Sequence, residues 1–327
     1  MEVKKITIIG PGSLGILFAV KIWQKLSSVT ILDHNPKRAK KLNKSGLRLL
    51  LPGSDSVMKA FPYVSVDAKE LGVQDVVLVL VKAFQTEDIL DAFEHLCGAD
   101  TVVVTLQNGI GVGDILAKVI QEKNLALGVT MHGANKRNFD TVMHAGSGST
   151  FVGMFNKDCT PTKKLEKLAD ILDQCGFSCS LVNDIYPILW KKLLVNIGIN
   201  ALTCISCLRN GQLLDYPHLL SIQEQAVAEA FEVMKGSGVD IRMEFQDVLT
   251  FVRKVCRDTG ENISSMLQDR LKKSKTEIDF INGAVVKIGK GYGVKTPVNE
   301  TLCNLVEFFS KSGWHQGCDG LSSPLVN

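Results

Sequence analysis

Ile6-Thr7-Ile8-Ile9-Gly10-Pro11-Gly12-Ser13-Leu14-Gly15 runs a short β-prone segment straight into a G-x-G-x-x-G loop, and an apolar helical pattern continues from it through Trp23. In that context the three glycines have separate physical tasks. Gly10 permits a tight turn, Gly12 lets backbone approach a pyrophosphate, and Gly15 allows helix and strand to pack closely. Pro11, Ser13 and Leu14 complete the loop, and the helix N-terminus behind it favours negative charge. A second strand, Val29 to Leu32, follows at βαβ spacing. The segment is therefore read as a nicotinamide-dinucleotide site.

The end of that second strand bears on cofactor choice, and its signals conflict. Asp33 sits where an acid bonds the adenosine ribose hydroxyls, which keeps NAD(H) open. His34, Lys37 and Arg38 follow at once and suit the extra phosphate of NADP(H), with Asp33 turned away.

Working outward, Lys5 to Ile9, Val29 to Leu32, Val76 to Val81, Val102 to Leu106 and Leu125 to Thr130 alternate with helical patterns, as in a parallel, doubly wound sheet. The run from Val76 to Val81 is apolar at every position, which predicts a central strand covered on both faces. Met143 to Gly153 reads as a hairpin appended to the sheet, followed by one more helix near Lys163 to Gln174, after which strands stop. Beyond about Val182 the periodicity is helical: Tyr186 to Cys204, Leu219 to Ser237, Glu244 to Asp258, Thr276 to Lys290 and Asn299 to Lys311. The expected architecture is an α/β dinucleotide-binding domain with a Rossmann-type doubly wound parallel sheet over residues 1–182, and an all-α substrate-binding domain over 183–327.

Composition narrows the function classes. The chain has 327 residues, 45 % of them apolar, enough for two cores. Its 22 % charged residues intersperse both signs and sum to +3, a field too weak to favour nucleic acid or a membrane surface. No apolar run approaches the roughly 18 residues of a membrane span, and no leader opens the chain, so a cytoplasmic protein with a small-molecule partner is expected. The nine cysteines form neither a disulfide framework nor paired zinc spacing, and Cys204 and Cys207 fall in an apolar helix. Packing is the expected role of the thiols, and no metal site is expected.

Trp190-Lys191-Lys192-Leu193-Leu194-Val195-Asn196-Ile197-Gly198-Ile199-Asn200 places Lys192, Asn196 and Asn200 at i, i+4 and i+8, on one face of a helix otherwise made of Leu, Val and Ile. Buried, such a face needs partners; a reductase would supply them, the ammonium meeting a substrate carbonyl and the amides orienting its other groups. A solvated stripe on an amphipathic helix fits the spacing equally well.

The glycine loop, Val81-Lys82-Ala83-Phe84-Gln85, Gln107-Asn108-Gly109-Ile110-Gly111, Trp190 to Asn200, Glu261 to Asp269 and Thr276 to Gly283, taken in order, closely resemble the ketopantoate reductase (2-dehydropantoate 2-reductase) family. The resemblance implies NADPH-dependent reduction of 2-dehydropantoate to pantoate in pantothenate biosynthesis. It implies Lys192 as the catalytic lysine and general acid, and Glu277 as the glutamate that supports binding and catalysis. Asn196 and Asn200 match substrate amides, Ser265 a hydroxyl for the substrate carboxylate, and Asn108 an active-site asparagine near both substrate and cofactor. Lys82 falls on a lysine near the cofactor. Departures are His34, where NADP-using members often have arginine, and the tail after Ser310. A helix N-cap is the plainer reading of Ser265, and the pair Ser264-Ser265 allows one serine in each role. Alternatives are a related reductase of another 2-oxo acid, or a catalytically silent NAD(P)-binding sensor. A homodimer through the helical domain is left open.

Overall fold

The structure, a computed structural model, describes residues 2–53 and 56–312. The described residues form two compact units, one running to Gln107 and then over Val112–Ile185, the other comprising Asn108–Gly111 and the described residues from Tyr186 onward. The first unit thus extends to Ile185 rather than ending near Val182, and Asn108–Gly111 pack with the helical residues.

In chain order the first unit is β1 (Ile6–Ile9), α1 (Ser13–Trp23), β2 (Val29–Leu32), α2 (Pro36–Ser45), β3 (Leu47–Leu50), β4 (Val57–Ala60), β5 (Tyr63–Ser65), α3 (Ala68–Leu71), β6 (Val76–Val79), α4 (Phe93–Leu96), β7 (Val102–Thr105), α5 (Val112–Leu116), β8 (Leu125–Thr130), β9 (Gly133–Lys136), β10 (Thr141–Gly146), β11 (Thr150–Met154), α6 (Lys163–Leu172) and β12 (Cys179–Leu181). The main sheet has eight strands in the order β12-β11-β8-β7-β6-β1-β2-β5. Every pair is parallel except β8 with β11. As its unbroken apolar run predicts, β6 is interior and buried at all four positions. Ile9 lies level with Leu32 on one side and Val79 on the other, so Gly10, Asp33 and Leu80 leave the sheet together at its carboxyl edge. That edge is where open α/β sheets bind ligands.

The segment read as a hairpin is not one. β10 joins a separate four-stranded sheet, β4-β3-β10-β9, while β11 pairs with β8 in the main sheet. The Gly and Ser residues between them carry the chain from one sheet to the other; alternation shows that a strand exists but not which edge it meets. Nor do strands stop after α6. β12 adds to β11 in parallel at the sheet's edge, too short at three residues to show a period.

The second unit is helical: α7 (Tyr186–Ser206), α8 (Pro217–Gly236), α9 (Phe245–Asp258), α10 (Ser265–Leu271), α11 (Asn282–Tyr292) and α12 (Pro297–Lys311) surround a core that includes Trp190, Leu194, Ile197, Val227, Phe231 and Val252. Contrary to the sequence reading, α7 is long and apolar enough to cross a membrane by length and composition, but most of it is buried as the core helix of this unit. Its last turn is tied down by the buried Arg270, which donates to the carbonyls of Cys204 and, at 2.9 Å, Ile205. The expected single helix over Thr276 to Lys290 is broken. Ile278–Phe280 form one 3-10 turn, Ile281 leaves helical geometry at φ −107° and ψ −90°, and only then does α11 begin. Among the described residues seven cysteines are free thiols, Cys204 among them, whereas Cys207 lies just past the end of α7 at φ +57° and is disulfide-bonded, contrary to the packing role expected of it within the helix. The tail beyond Ser310, which the resemblance leaves unmatched, and Cys318 fall, past Ser312, outside the described residues.

Candidate active site

Two sets of candidate residues stand in the two units. In the first, Gly10 has φ +101°, and a Cβ there would lie 2.6 Å from Val81 Cγ1 and 2.9 Å from Val81 N. Only glycine fits that turn. A Cβ on Gly15 would stand 2.0 Å from the Gly10 carbonyl oxygen, which is the close helix–strand approach that the motif requires. At Gly12 a Cβ would meet only Leu80 O, at 3.8 Å, so the loop is open there. The first turn of α1 carries no side-chain cap and no acidic residue, leaving backbone N–H groups and the helix dipole to an anion. Beside this loop lies a cavity of about 330 Å³ lined by Gly10, Asp33, His34, Asp67, Val81 and His95. A larger groove of about 690 Å³ elsewhere on the unit, lined by Phe93, Cys97, Thr101 and Val119, contains none of the expected site residues. A glycine cradle, an uncapped helix N-terminus and a cavity at the end of the second strand fit a nicotinamide dinucleotide.

Asp33 is 1 % exposed and already engaged. Arg38 grips its carboxylate through Nε at 2.6 Å and Nη2 at 2.5 Å, and the Asn35 N–H donates at 3.0 Å. Asn35 in turn caps α2 by accepting from Arg38 N, which fixes where the guanidinium emerges. His34 projects into solvent, 3.8 Å from Asp33. Lys82 directly follows Val81, the residue pressed against Gly10, and so flanks the loop. The sequence reading overlooked Lys136 of β9, whose ammonium donates to the Pro11 carbonyl at 3.3 Å. No local pattern announces it, because β9 reaches the loop only through the second sheet.

In the helical unit, α7 carries the polar line inside an apolar helix. Lys192 and Asn196 are half-buried and Asn200 is buried. Lys192 Nζ donates to Asn108 Oδ1 at 2.9 Å, and Asn108 Nδ2 donates to Glu277 Oε2 at 3.3 Å. The amide thus bridges an ammonium and a buried carboxylate. Loss of hydration pulls the Lys192 pKa down to about 8, against a smaller upward pull from the Glu277 charge. Glu277 opens the 3-10 turn rather than riding on a helix as expected.

Of the serine pair it is Ser264, not Ser265, that is the helix N-cap. Ser264 is buried, caps α10 by accepting from Leu267 N at 3.1 Å, and accepts from Thr203 Oγ1 at 2.7 Å. Ser265, next in the chain, is exposed at the first position of α10. The Thr203 bond ties this helix end to α7 one turn beyond Asn200, so Lys192, Asn196, Asn200, Glu277, Asn108 and Ser265 are held by one framework.

The family model described as "Ketopantoate reductase PanE/ApbA" matches residues 6–157, and that of its C-terminal part matches residues 184–310. A 2-dehydropantoate 2-reductase of Archaeoglobus fulgidus is 34 % identical over 306 residues, covering 94 % of this chain and 98 % of the relative. One from Halobacterium salinarum is 31 % identical over 310 residues, covering 94 % and 100 %. Among solved structures, a D-mandelate dehydrogenase with NADH and anilino(oxo)acetate superposes with TM-score 0.86 at 28 % identity, covering 95 % of this chain and all of that one. A ketopantoate reductase from Ralstonia eutropha JMP134 does so with TM-score 0.85 at 25 % identity and the same coverage.

Proposed function

The chain belongs to the ketopantoate reductase family and is an oxidoreductase, and on that premise we propose that it reduces 2-dehydropantoate to pantoate with NADPH. The observation that carries the reading is the Lys192–Asn108–Glu277 cluster. An ammonium with a carboxylate close behind it is what a carbonyl reduction needs and what a cofactor-binding sensor has no use for. When bound, the reduced nicotinamide supplies the hydride that the ketone carbon accepts. Lys192 meets the negative charge that grows on the ketone oxygen and then gives that oxygen its proton. A lysine titrating near 8 is still protonated at neutral pH yet acidic enough to release the proton. Glu277 keeps the ammonium charged in a site that burial would otherwise neutralise. Ser265 takes the substrate carboxylate, and Asn196 and Asn200 take its hydroxyl, aligning the ketone.

NADPH is the proposed donor because Asp33 is neutralised. A free carboxylate at the end of β2 would repel a 2′-phosphate; held by Arg38 it does not, and the guanidinium, with Lys37, offers that phosphate positive charge while His34 offers a ring nitrogen beside them. A second reading keeps the chemistry and changes the substrate. The likeness to a D-mandelate dehydrogenase with NADH favours a 2-oxo acid bearing an aromatic side chain. Oxidation of NADPH and of NADH is to be followed with 2-dehydropantoate, with its analogue lacking the 4-hydroxyl, and with phenylglyoxylate. A clear preference for 2-dehydropantoate and NADPH is expected; a preference for phenylglyoxylate and NADH installs the second reading.

A further inference from the structure

We propose that the contact between Gly109 and the Phe280 carbonyl is a positioning device that holds the Asn108 amide between Lys192 and Glu277. The inference rests on the reductase reading for its catalytic consequence, and on the helical unit's own geometry for the rest.

Three observations carry it. Gly109 has φ +88°, and a Cβ there would lie 2.1 Å from Phe280 O, 2.7 Å from Phe280 C and 2.8 Å from Phe280 Cβ. Backbone thus approaches backbone more closely than any side chain permits. The next residue completes the contact, the Ile110 N–H donating to the same Phe280 oxygen at 3.0 Å. Finally, the chain breaks helical geometry at Ile281, so the Phe280 carbonyl is given to the loop instead of to the next helical turn.

The consequence lies in what the 3-10 turn carries. Glu277 and Phe280 stand at its two ends, joined by the Phe280 N–H to Glu277 O bond at 3.1 Å. Residues 108–111 are therefore fastened to this turn twice, by the Asn108 amide to the Glu277 carboxylate and by the Ile110 N–H to the Phe280 carbonyl. With both ends fixed, the amide has one orientation: Nδ2 donates to the carboxylate, so Oδ1 must face Lys192 and accept from its ammonium. An acceptor so placed favours the charged lysine and aims it, without itself gaining or losing a proton. Gly109 and Phe280 are positioning residues acting through Asn108. Gly111 makes a useful contrast, since at φ +101° it is also left-handed but a Cβ there would meet nothing within 4 Å.

The test reads Lys192 directly. Its reactivity toward an amine-selective acylating reagent is measured against pH by peptide mass spectrometry, on the full chain without substrate, for the wild type and for Gly109→Ala, Asn108→Leu and Gly111→Ala. NADPH affinity and turnover of 2-dehydropantoate are measured in parallel. In Gly109→Ala and Asn108→Leu the titration of Lys192 is expected to move to lower pH by about 1–2 units, the scale of one lost hydrogen bond to a charged group. Turnover should fall at least about tenfold with NADPH binding kept. Gly111→Ala is expected to keep the wild-type titration. A wild-type titration in folded Gly109→Ala or in Asn108→Leu overturns the proposal, and so does an equal shift in Gly111→Ala, which would mean that any strain in the loop suffices. Should Gly109→Ala fail to fold, Ile110→Pro, which removes the N–H given to the Phe280 oxygen and leaves Asn108 in place, is read instead, with the same shift expected and a wild-type titration overturning the proposal. Absent wild-type turnover of 2-dehydropantoate would sink the substrate reading alone, because the labelling needs no substrate.

Discussion

Arg38 holds the Asp33 carboxylate from two sides, Nε to Oδ2 and Nη2 to Oδ1, at a position 1 % exposed at the end of β2. In a site of this architecture that acid would otherwise accept from ribose hydroxyls. Arg38→Ala is expected to weaken NADPH binding by about tenfold or more, the worth of a charge-assisted contact to phosphate, and NADH binding far less. Fluorescence titration with each cofactor checks this. Equal losses would mean that Arg38 only braces the turn into α2.

The proton donor is tested by Lys192→Ala. The expected loss in kcat is about 100-fold or more, the usual contribution of a general acid and an oxyanion partner, with NADPH affinity unchanged. The pH profile carries a second check. The lysine is active when protonated and titrates near 8, so wild-type kcat should be level below that pH and fall as pH rises through it. A profile flat to pH 10 would remove Lys192 from the role.

Glu277→Gln keeps shape and hydrogen bonding but removes the charge that raises the Lys192 pKa. The alkaline limb of kcat should therefore move to lower pH, and kcat at pH 8 should drop by more than kcat at pH 6. Identical losses at both pH values would make Glu277 a matter of packing.

The glycine loop separates fold from binding. Gly15→Ala puts a methyl 2.0 Å from the Gly10 carbonyl, backbone that cannot move aside, and should cost about 1–3 kcal/mol of stability or more. Gly12→Ala meets only an ordinary contact at 3.8 Å, so its thermal unfolding should match the wild type while cofactor affinity falls. A Gly12→Ala variant that binds NADPH normally would place the pyrophosphate elsewhere.

His132 and His144 lie buried with Nδ1 and Nε2 at 2.9 Å, and His132 Nε2 is 3.2 Å from the Phe177 carbonyl oxygen. Burial pulls both pKa values below 6.5, and the nearby Lys21 charge adds to it. The unfolded chain takes up protons at these histidines first, so stability is full above about pH 6.5 and declines as pH falls from there through the folded values. Thermal melts from pH 8 to pH 5 should show the decline, and His144→Phe should flatten it. A wild-type melting temperature constant over that range would exclude the pair as the cause.

What the sequence by itself determined is local: the strand-to-loop-to-helix signature at Ile6 to Gly15, the buried central strand at Val76, and the spacing of Lys192, Asn196 and Asn200 on α7. Period and glycine placement follow from backbone sterics, which act between near neighbours and so are written in order along the chain. The tertiary structure alone decided which sheet β10 and β11 join, that Arg38 closes over Asp33, that Lys136 reaches Pro11, and that the expected helix at Thr276 breaks so that Phe280 can receive Ile110. Except for the turn that brings Arg38 onto Asp33 five residues away, these join residues whose pairing depends on which surfaces meet after collapse. Sequence periodicity cannot encode that, because hydrogen-bond donors and acceptors choose among every partner the packed chain brings within about 3 Å.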